Sequence, residues 1–287
     1  MDVAVIGAGR AGTAIAVLLD RAGHRIVGVS GRADTAERAE RFLPGVPVLD
    51  AAAAARDAEL VLVAVPDDLI EPVVEAIAAA GAVSHGPWVA HLSGATPLSI
   101  LDAARDAGAR RLGLHPLQTF PDVEAAIERL PGCTVAIGAD DDEGYVVGER
   151  LAEDIGGVPF RLPDEHRAIY HAAAVFASNY LVAAAGVAEL LLASAGVPDP
   201  TAALAALQEA TVANVARVGP MQALTGPVVR GDGVTVSRNL EALSDRAPWA
   251  VDAYVEMARV AVDLAMRSGR LTSEGGARIE EALRPWT

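Results

Sequence analysis

Apolar runs and helical patterns alternate along the chain as far as about residue 160. Val3–Ile6 is an apolar run that opens into Gly7-Ala8-Gly9-Arg10-Ala11-Gly12. A helical pattern follows from Thr13 to Ala22, and then a second apolar run from Arg25 to Val29. Further on, the pattern predicts strands at 25–30, 60–65, 88–92, near Leu112, at 133–137 and at Val158–Arg161, with a short strand near Val46–Leu49. Helices are predicted at 34–42, 68–80 and 143–155, and the alanine run 51–55 reads as plain helix. Such alternation builds a parallel sheet covered by helices. After Pro163 the strand signals stop, and helical patterns occupy 164–194, 201–217, 238–245, 248–268 and 273–283.

The Gly-rich turn gives the first half its chemistry. Strand, Gly-x-Gly-x-x-Gly, helix, strand is the order a dinucleotide fold requires. Gly7 makes the tight turn, Gly9 lets backbone approach a pyrophosphate, and Gly12 lets helix and strand pack closely. The N–H groups of the helix start, at Arg10 and Ala11, receive the phosphates. The fold class is therefore α/β: an N-terminal Rossmann dinucleotide-binding domain over 1–162 and an all-α C-terminal dimerisation domain over 163–287. Open sheets bind ligands at their strand C-terminal ends, which puts Val65, Pro66 and Ser93 on the same rim as Gly7. An NAD site carries Asp or Glu at the end of the second strand; this chain reads Val29-Ser30-Gly31-Arg32 there. Ser30 can hydrogen-bond a 2′-phosphate and Arg32 can fork onto it, so the expected cofactor is NADP.

Composition narrows the rest. The 287 residues carry a net charge of −15, and no basic stripe appears, which argues against nucleic-acid binding. All 23 basic residues are arginine, so no lysine is available for Schiff-base or acid–base work. A single cysteine excludes an internal disulfide and a cysteine metal site. The six histidines lack metal-ligand spacing, and no metal is expected. The N-terminus has no basic signal-peptide region, and a cytoplasmic setting is expected. The apolar run Ala172–Ala188, interrupted by Ser178 and Asn179, reads as a buried core helix, with no membrane span expected. The C-terminal helices are too apolar for a lone bundle, which points to an intertwined homodimer.

Three stretches carry a family resemblance: Leu112-Gly113-Leu114-His115-Pro116-Leu117-Gln118-Thr119-Phe120, Tyr170-His171-Ala172-Ala173-Ala174-Val175-Phe176-Ala177-Ser178-Asn179-Tyr180, and Leu224-Thr225-Gly226-Pro227-Val228-Val229-Arg230-Gly231-Asp232. With the Gly7 turn they resemble, over nearly the whole chain, the bacterial two-domain proteins described as Rossmann-like plus DUF2520. That group is similar to the wider 6-phosphogluconate, pyrroline-5-carboxylate, prephenate and ketopantoate dehydrogenase set. The resemblance implies an NADP domain, a helical dimerisation domain and, from a frequent gene neighbourhood with pantothenate synthesis, a ketopantoate reductase role.

Candidate catalytic residues follow. Helical spacing would set His171, Val175 and Asn179 on one face. In ketopantoate reductases the corresponding helix carries Lys, then Asn four and eight residues later. Here His171 stands at the lysine position, Val175 replaces the first Asn, and Asn179 keeps the second. An imidazolium at His171 can protonate the oxygen that receives hydride; the alternative is that His171 and Asn179 satisfy one another. His115 lies in a Leu-Gly-Leu-His-Pro stretch similar to that of prephenate dehydrogenases, whose histidine binds the hydroxyl being oxidised. That similarity suggests a polar role at a strand end, beside the alternative of a backbone-bound histidine. Gln118, Arg230 and Asp232 are candidate substrate ligands, with Arg230 able to fork onto a carboxylate and a surface ion pair as the alternative. The leading function is NADPH-dependent reduction of a small anionic 2-keto acid, ketopantoate foremost. The alternatives are an imine reductase, a prephenate-like dehydrogenase, or a non-catalytic NADP sensor or scaffold.

Overall fold

The computed structural model describes all residues, Met1–Thr287, and the chain divides into two compact units, 1–178 and 179–287. In the first unit β1 (Asp2–Ile6), α1 (Arg10–Arg21) and β2 (Arg25–Ser30) form the expected strand–turn–helix–strand. Then come α2 (Thr35–Phe42), α3 (Ala51–Ala55), β3 (Leu60–Val63), α4 (Asp67–Ala79), β4 (Trp88–His91), α5 (Asp102–Asp106) and β5 (Arg110–Pro116). After them lie α6 (Val123–Arg129), β6 (Thr134–Ala139), α7 (Asp142–Asp154), β7 (Val158–Arg161) and α8 (Arg167–Ala177). One seven-stranded sheet runs in the order β2-β1-β3-β4-β5-β6-β7. The central strands β3 and β4 are wholly buried, as a sheet covered on both faces demands. One apolar cluster joins α1, α6 and α7 to one face, and a second joins α3, α4 and α5 to the other.

Two expectations about this sheet change. The strand expected near Val46–Leu49 is only a single parallel bridge, Val29 to Val48. The sheet is also not uniformly parallel, since β6 runs antiparallel to β5. The pairing runs from Leu112 opposite Ala139 to Pro116 opposite Val135, so after α6 the chain turns back along β5.

The boundary falls at Ser178, later than the expected 162, because the start of α8 is anchored in the sheet. Arg167, its first residue, is 1 % exposed. Its guanidinium lies across β5 and β6 where both carry glycine; a Cβ on Gly113 or on Gly138 would collide with Nη2. Nε donates to Asp164 Oδ1 at 2.7 Å, Nη1 donates to the Ser93 carbonyl at 3.4 Å, and Asp164 Oδ2 accepts the Leu98 N–H at 2.8 Å.

The second unit is all helical: α9 (Asn179–Ser194), α10 (Pro200–Val218), α11 (Pro220–Ala223), α12 (Gly233–Arg246), α13 (Val251–Arg267) and α14 (Ser273–Leu283). Val236, Leu240, Val255, Val262, Ile279 and Leu283 form its core, so α12–α14 hold it together. The buried helix expected at Ala172–Ala188 is a correction. Backbone at Ser178 (φ −124°, ψ −68°) separates α8 from α9, and α9 has no buried residue. Segment Asp164–Ser194 is long and apolar enough to cross a membrane, and none of its most apolar stretch is buried. In α10 only Leu204 is buried; Val182 of α9 and Leu207 of α10 are 71 % and 63 % exposed.

Replacing Gly138 with alanine should push the guanidinium off the sheet. Overpacking of this kind costs about 1–3 kcal/mol, which for a unit of this size is a fall of several degrees in thermal midpoint. Gly186→Ala, in open space in α9, should leave the midpoint level or higher. A Gly138→Ala protein that melts with the parent would show that Arg167 is not wedged as described.

Candidate active site

The Gly-rich turn is built as its spacing requires. Gly7 has φ +93°, and a Cβ there would lie 2.6 Å from the Ala64 carbonyl oxygen. A Cβ on Gly12 would lie 2.6 Å from the Gly7 oxygen, so helix and strand meet at that glycine. Gly9 differs: the one atom near its missing Cβ is the Gly7 oxygen, at 3.9 Å. Its face is open to a ligand. The Gly7 and Ala8 N–H groups bond the Ser30 carbonyl at 2.8 and 2.9 Å, tying the turn to the end of β2.

Above this turn lies a cleft of about 690 Å³, whose lining includes Gly7, Gly9, Arg10, Ala11, Ser30, Arg32, Val65 and Pro66. Buried Gly12 underlies it. Arg38 of α2, Thr35 and Phe120 also line the cleft, and sequence reasoning passed over all three. The signal for Arg38 was its place on the first turns of the helix after β2. Its Nη1 donates to the Ala8 carbonyl at 2.8 Å, and Nη2 pairs with Asp34. Asp34 is a carboxylate on the cleft wall beyond the strand end, and Arg38 holds its pKa below the usual value. Three arginines thus line a cleft whose one carboxylate is already paired. Arg10 also reaches the Pro121 carbonyl at 3.0 Å.

A second set of polar groups gathers at the ends of β4 and β5. His91 ends β4 fully buried, and its Nδ1 accepts the Ser93 N–H at 3.2 Å. Burial, then the Arg167 cation, lowers its pKa to about 3. Ser93, expected to meet the cofactor, spends its hydroxyl inside the protein. Oγ donates to Asp67 Oδ2 at 2.8 Å, lies 2.7 Å from Thr96 Oγ1 and accepts the Thr96 N–H at 3.1 Å. His115 stands in β5, where its Nδ1 meets Tyr170 Oη at 2.7 Å. Burial first, then His171 and Arg167, lowers the His115 pKa to about 4. His171, half-buried on α8, is therefore close enough to His115 to act on it electrostatically.

Other candidates separate. Asn179 is the first residue of α9 and belongs to the second unit. The break at Ser178 ends the helical register that set His171, Val175 and Asn179 on one face. Gln118 is committed to its own loop: Oε1 accepts the Thr119 N–H at 2.8 Å, and Nε2 reaches the Arg129 carbonyl at 3.4 Å. Asp232 is the N-cap of α12, with Oδ1 accepting the Thr235 N–H at 3.0 Å and Oδ2 its hydroxyl at 2.7 Å. Short polar residues at this position cap helices, so both oxygens already have work. Arg230 is exposed. Tyr170, Arg167 and Asp164 were missed although two of them lie within four residues of His171. Arginine three residues before a tyrosine on a helix was the readable signal.

Two family models match, the Rossmann-like domain over residues 1–116 and Domain of unknown function (DUF2520) over 133–261. The chain carries a Rossmann-like domain followed by a DUF2520 domain. Among solved structures it is similar to a Bacteroides fragilis protein provisionally named an NADP oxidoreductase, at 23 % identity, with TM-score 0.74 over 91 % of this chain and 98 % of that one. A Thermotoga maritima protein matches at 24 % identity, TM-score 0.72, over 92 % and 98 %. A reductive aminase from Aspergillus terreus, in complex with NADPH and ethyl levulinate, matches at 20 % identity, TM-score 0.64, over 98 % of each chain. At such identities the likeness is one of fold. No curated protein matches the sequence.

The buried histidines make stability pH-dependent. An unfolded histidine takes up a proton near pH 6.5, but His91 resists until about pH 3. Acidification through that window therefore favours the unfolded chain. Between pH 7 and pH 5 His91 should account for about 2 kcal/mol of lost stability, and His91→Gln should flatten that part of the profile in urea unfolding. An unchanged slope would refute the burial of a neutral ring.

Arg32→Asp should lower NADPH affinity about 10–100-fold, the worth of a charge-assisted hydrogen bond, while leaving NADH binding equal or better in calorimetric titration. Equal NADPH affinity would overturn the expectation that Arg32 meets a 2′-phosphate.

Proposed function

We propose that the protein is an NADP(H)-dependent oxidoreductase that reduces a small carbonyl substrate at the rim formed by β4 and β5. The observation that carries the reading is the cleft over the Gly7 turn. Gly9 leaves backbone open for a pyrophosphate, Arg10, Arg32 and Arg38 line the wall, and Asp34 is already paired with Arg38. A 2′-phosphate is favoured by guanidinium forks and disfavoured by free carboxylates. Gly7, Gly9, Arg10, Ala11 and Gly12 would hold the pyrophosphate, and Ser30 and Arg32 with Arg38 the ribose phosphate. Val65 and Pro66 would flank the nicotinamide half. When bound, the cofactor supplies the hydride. The chain's own part is to orient the substrate and provide the proton, for which His115 and His171 are the groups at hand.

Fold neighbours named as imine reductases, a reductive aminase, an arogenate dehydrogenase and, provisionally, an NADP oxidoreductase support the reaction class. Ketopantoate is the first substrate to try, as a small 2-keto acid that an arginine can bind by its carboxylate. The exposed apolar faces of α9 and α10 support a homodimer, in which a second copy would cover them. A sensor that binds NADPH without turnover is the competing reading.

NADPH consumption should be followed with ketopantoate, a panel of 2-keto acids and a cyclic imine. Turnover of a keto acid with NADPH and not NADH is the expected result. Tight NADPH binding with no turnover on any substrate would favour the sensor, and absence of NADPH binding would overturn the whole reading.

A further inference from the structure

The two nitrogens of His115 have different surroundings. Nδ1 is 2.7 Å from Tyr170 Oη, with the two rings edge to face and centroids 5.5 Å apart. The opposite edge of the imidazole lies against Gly94, where a Cβ would sit 2.8 Å from both Nε2 and Cε1. No protein group hydrogen-bonds Nε2, and it is not among the sealed polar atoms. Gly94 follows Ser93 just beyond β4, so this edge of His115 belongs to the strand-end rim where ligands of such sheets bind.

Tyr170 is itself held. It lies one helical turn after Arg167, whose guanidinium is locked across Gly113 and Gly138, and its ring packs on Phe160 with centroids 5.7 Å apart. The hydroxyl is therefore delivered to Nδ1 by an anchored helix.

We propose that Tyr170 is a positioning residue for His115: by donating Oη–H to Nδ1 it selects the tautomer with hydrogen on Nε2, and so presents a neutral N–H donor to the oxygen of a carbonyl substrate. This rests on the oxidoreductase reading above. A neutral imidazole has one donor and one acceptor nitrogen, and the partner of one fixes the role of the other. In the reaction, hydride from NADPH forms the new C–H bond and the carbonyl π pair moves to oxygen. The Nε2 proton passes to that oxygen while the Oη proton passes to Nδ1. The substrate gains two electrons and the cofactor leaves as NADP⁺; Nε2 then takes a proton from water and the Nδ1 proton returns to the tyrosinate, near the Arg167 cation, which restores the starting tautomer.

Burial, raising the Tyr170 pKa to about 12 and lowering that of His115 to about 4, keeps both partners in these forms at neutral pH. An alkoxide is basic enough to take a proton from such weak acids. An imine nitrogen must be protonated before hydride reaches its carbon, which neutral donors do poorly. The pair therefore fits a carbonyl rather than an imine substrate.

The test is ¹⁵N–¹H correlation of histidine-labelled protein, free and with NADPH added, with His115 assigned from the His115→Gln variant. The wild type should show one neutral His115 tautomer, protonated on Nε2 and hydrogen-bonded at Nδ1, from pH 8 to pH 5. Tyr170→Phe should average the two tautomers while NADPH affinity stays within about twofold. On the carbonyl substrate turned over by the wild type, it should lower kcat about 100-fold, the lower end of the usual span for proton transfer, with KM for NADPH unchanged. A wild-type proton on Nδ1, or nitrogen signals unmoved in Tyr170→Phe, would overturn the proposal. If that variant does not fold, the wild-type spectrum decides. Loss of the cofactor reading would show separately, as absence of NADPH binding.

Discussion

The contact on which the first unit depends is the Arg167 guanidinium, its Nη2 set against Gly113 and Gly138 of two strands. A buried cation is costly unless its hydrogen-bonding capacity and charge are met, and here Asp164 and the Ser93 carbonyl meet part of it. Nη2 is buried with no hydrogen-bond partner in the protein, a sign that the position is held for more than stability. Its consequences are geometric: β5 and β6 must both carry glycine, α8 must start at the sheet, and Tyr170 must arrive at His115. They are also electrostatic, since the same cation disfavours protonation of His91 and His115.

The Gly-rich turn was legible because its demands are local. A strand, three glycines at fixed spacing and a helix start occupy a dozen consecutive residues, and each glycine answers to a steric condition visible in the backbone. The alternating strands and helices were legible for the same reason, as periodicity is a property of neighbours in sequence. The reversal of β6 was not, because strand direction is set by which edges pair in the sheet, and local periodicity reads the same in either direction. Arg38 and Asp34 were missed because their pairing brings opposite charges together around a turn whose geometry the residue types alone do not state.

The polar cluster was legible in part. His115 was found through its strand-end motif, whereas Tyr170 was passed over for its neighbour His171 because a face of His171, Val175 and Asn179 assumed an unbroken helix. The backbone at Ser178 ends that face. The expectation of a buried helix failed for a related reason: apolar composition records that a surface must be covered, without saying what covers it. In α9 the chain does so only in part, where Val187 and Leu191 pack against Leu243, Ala247 and Ala250, no residue of that helix is fully buried, and the residues that build the second core lie instead on α12–α14.

The chemistry then turns on which protonation states the site can hold. Had His115 been an exposed imidazole, it would shuttle protons near pH 6.5 and serve either direction of a redox reaction. Burial against Gly94 with Arg167 and His171 nearby removes that freedom, and what remains is a neutral donor whose orientation is set by a phenol. Such a donor stabilises charge that develops on oxygen late in hydride transfer, where preorganised hydrogen bonds count most. It does little for a ground-state imine. In the proposed reaction the burial of His115 beside Gly94, more than the identity of any single ligand to the substrate, favours a carbonyl over an imine.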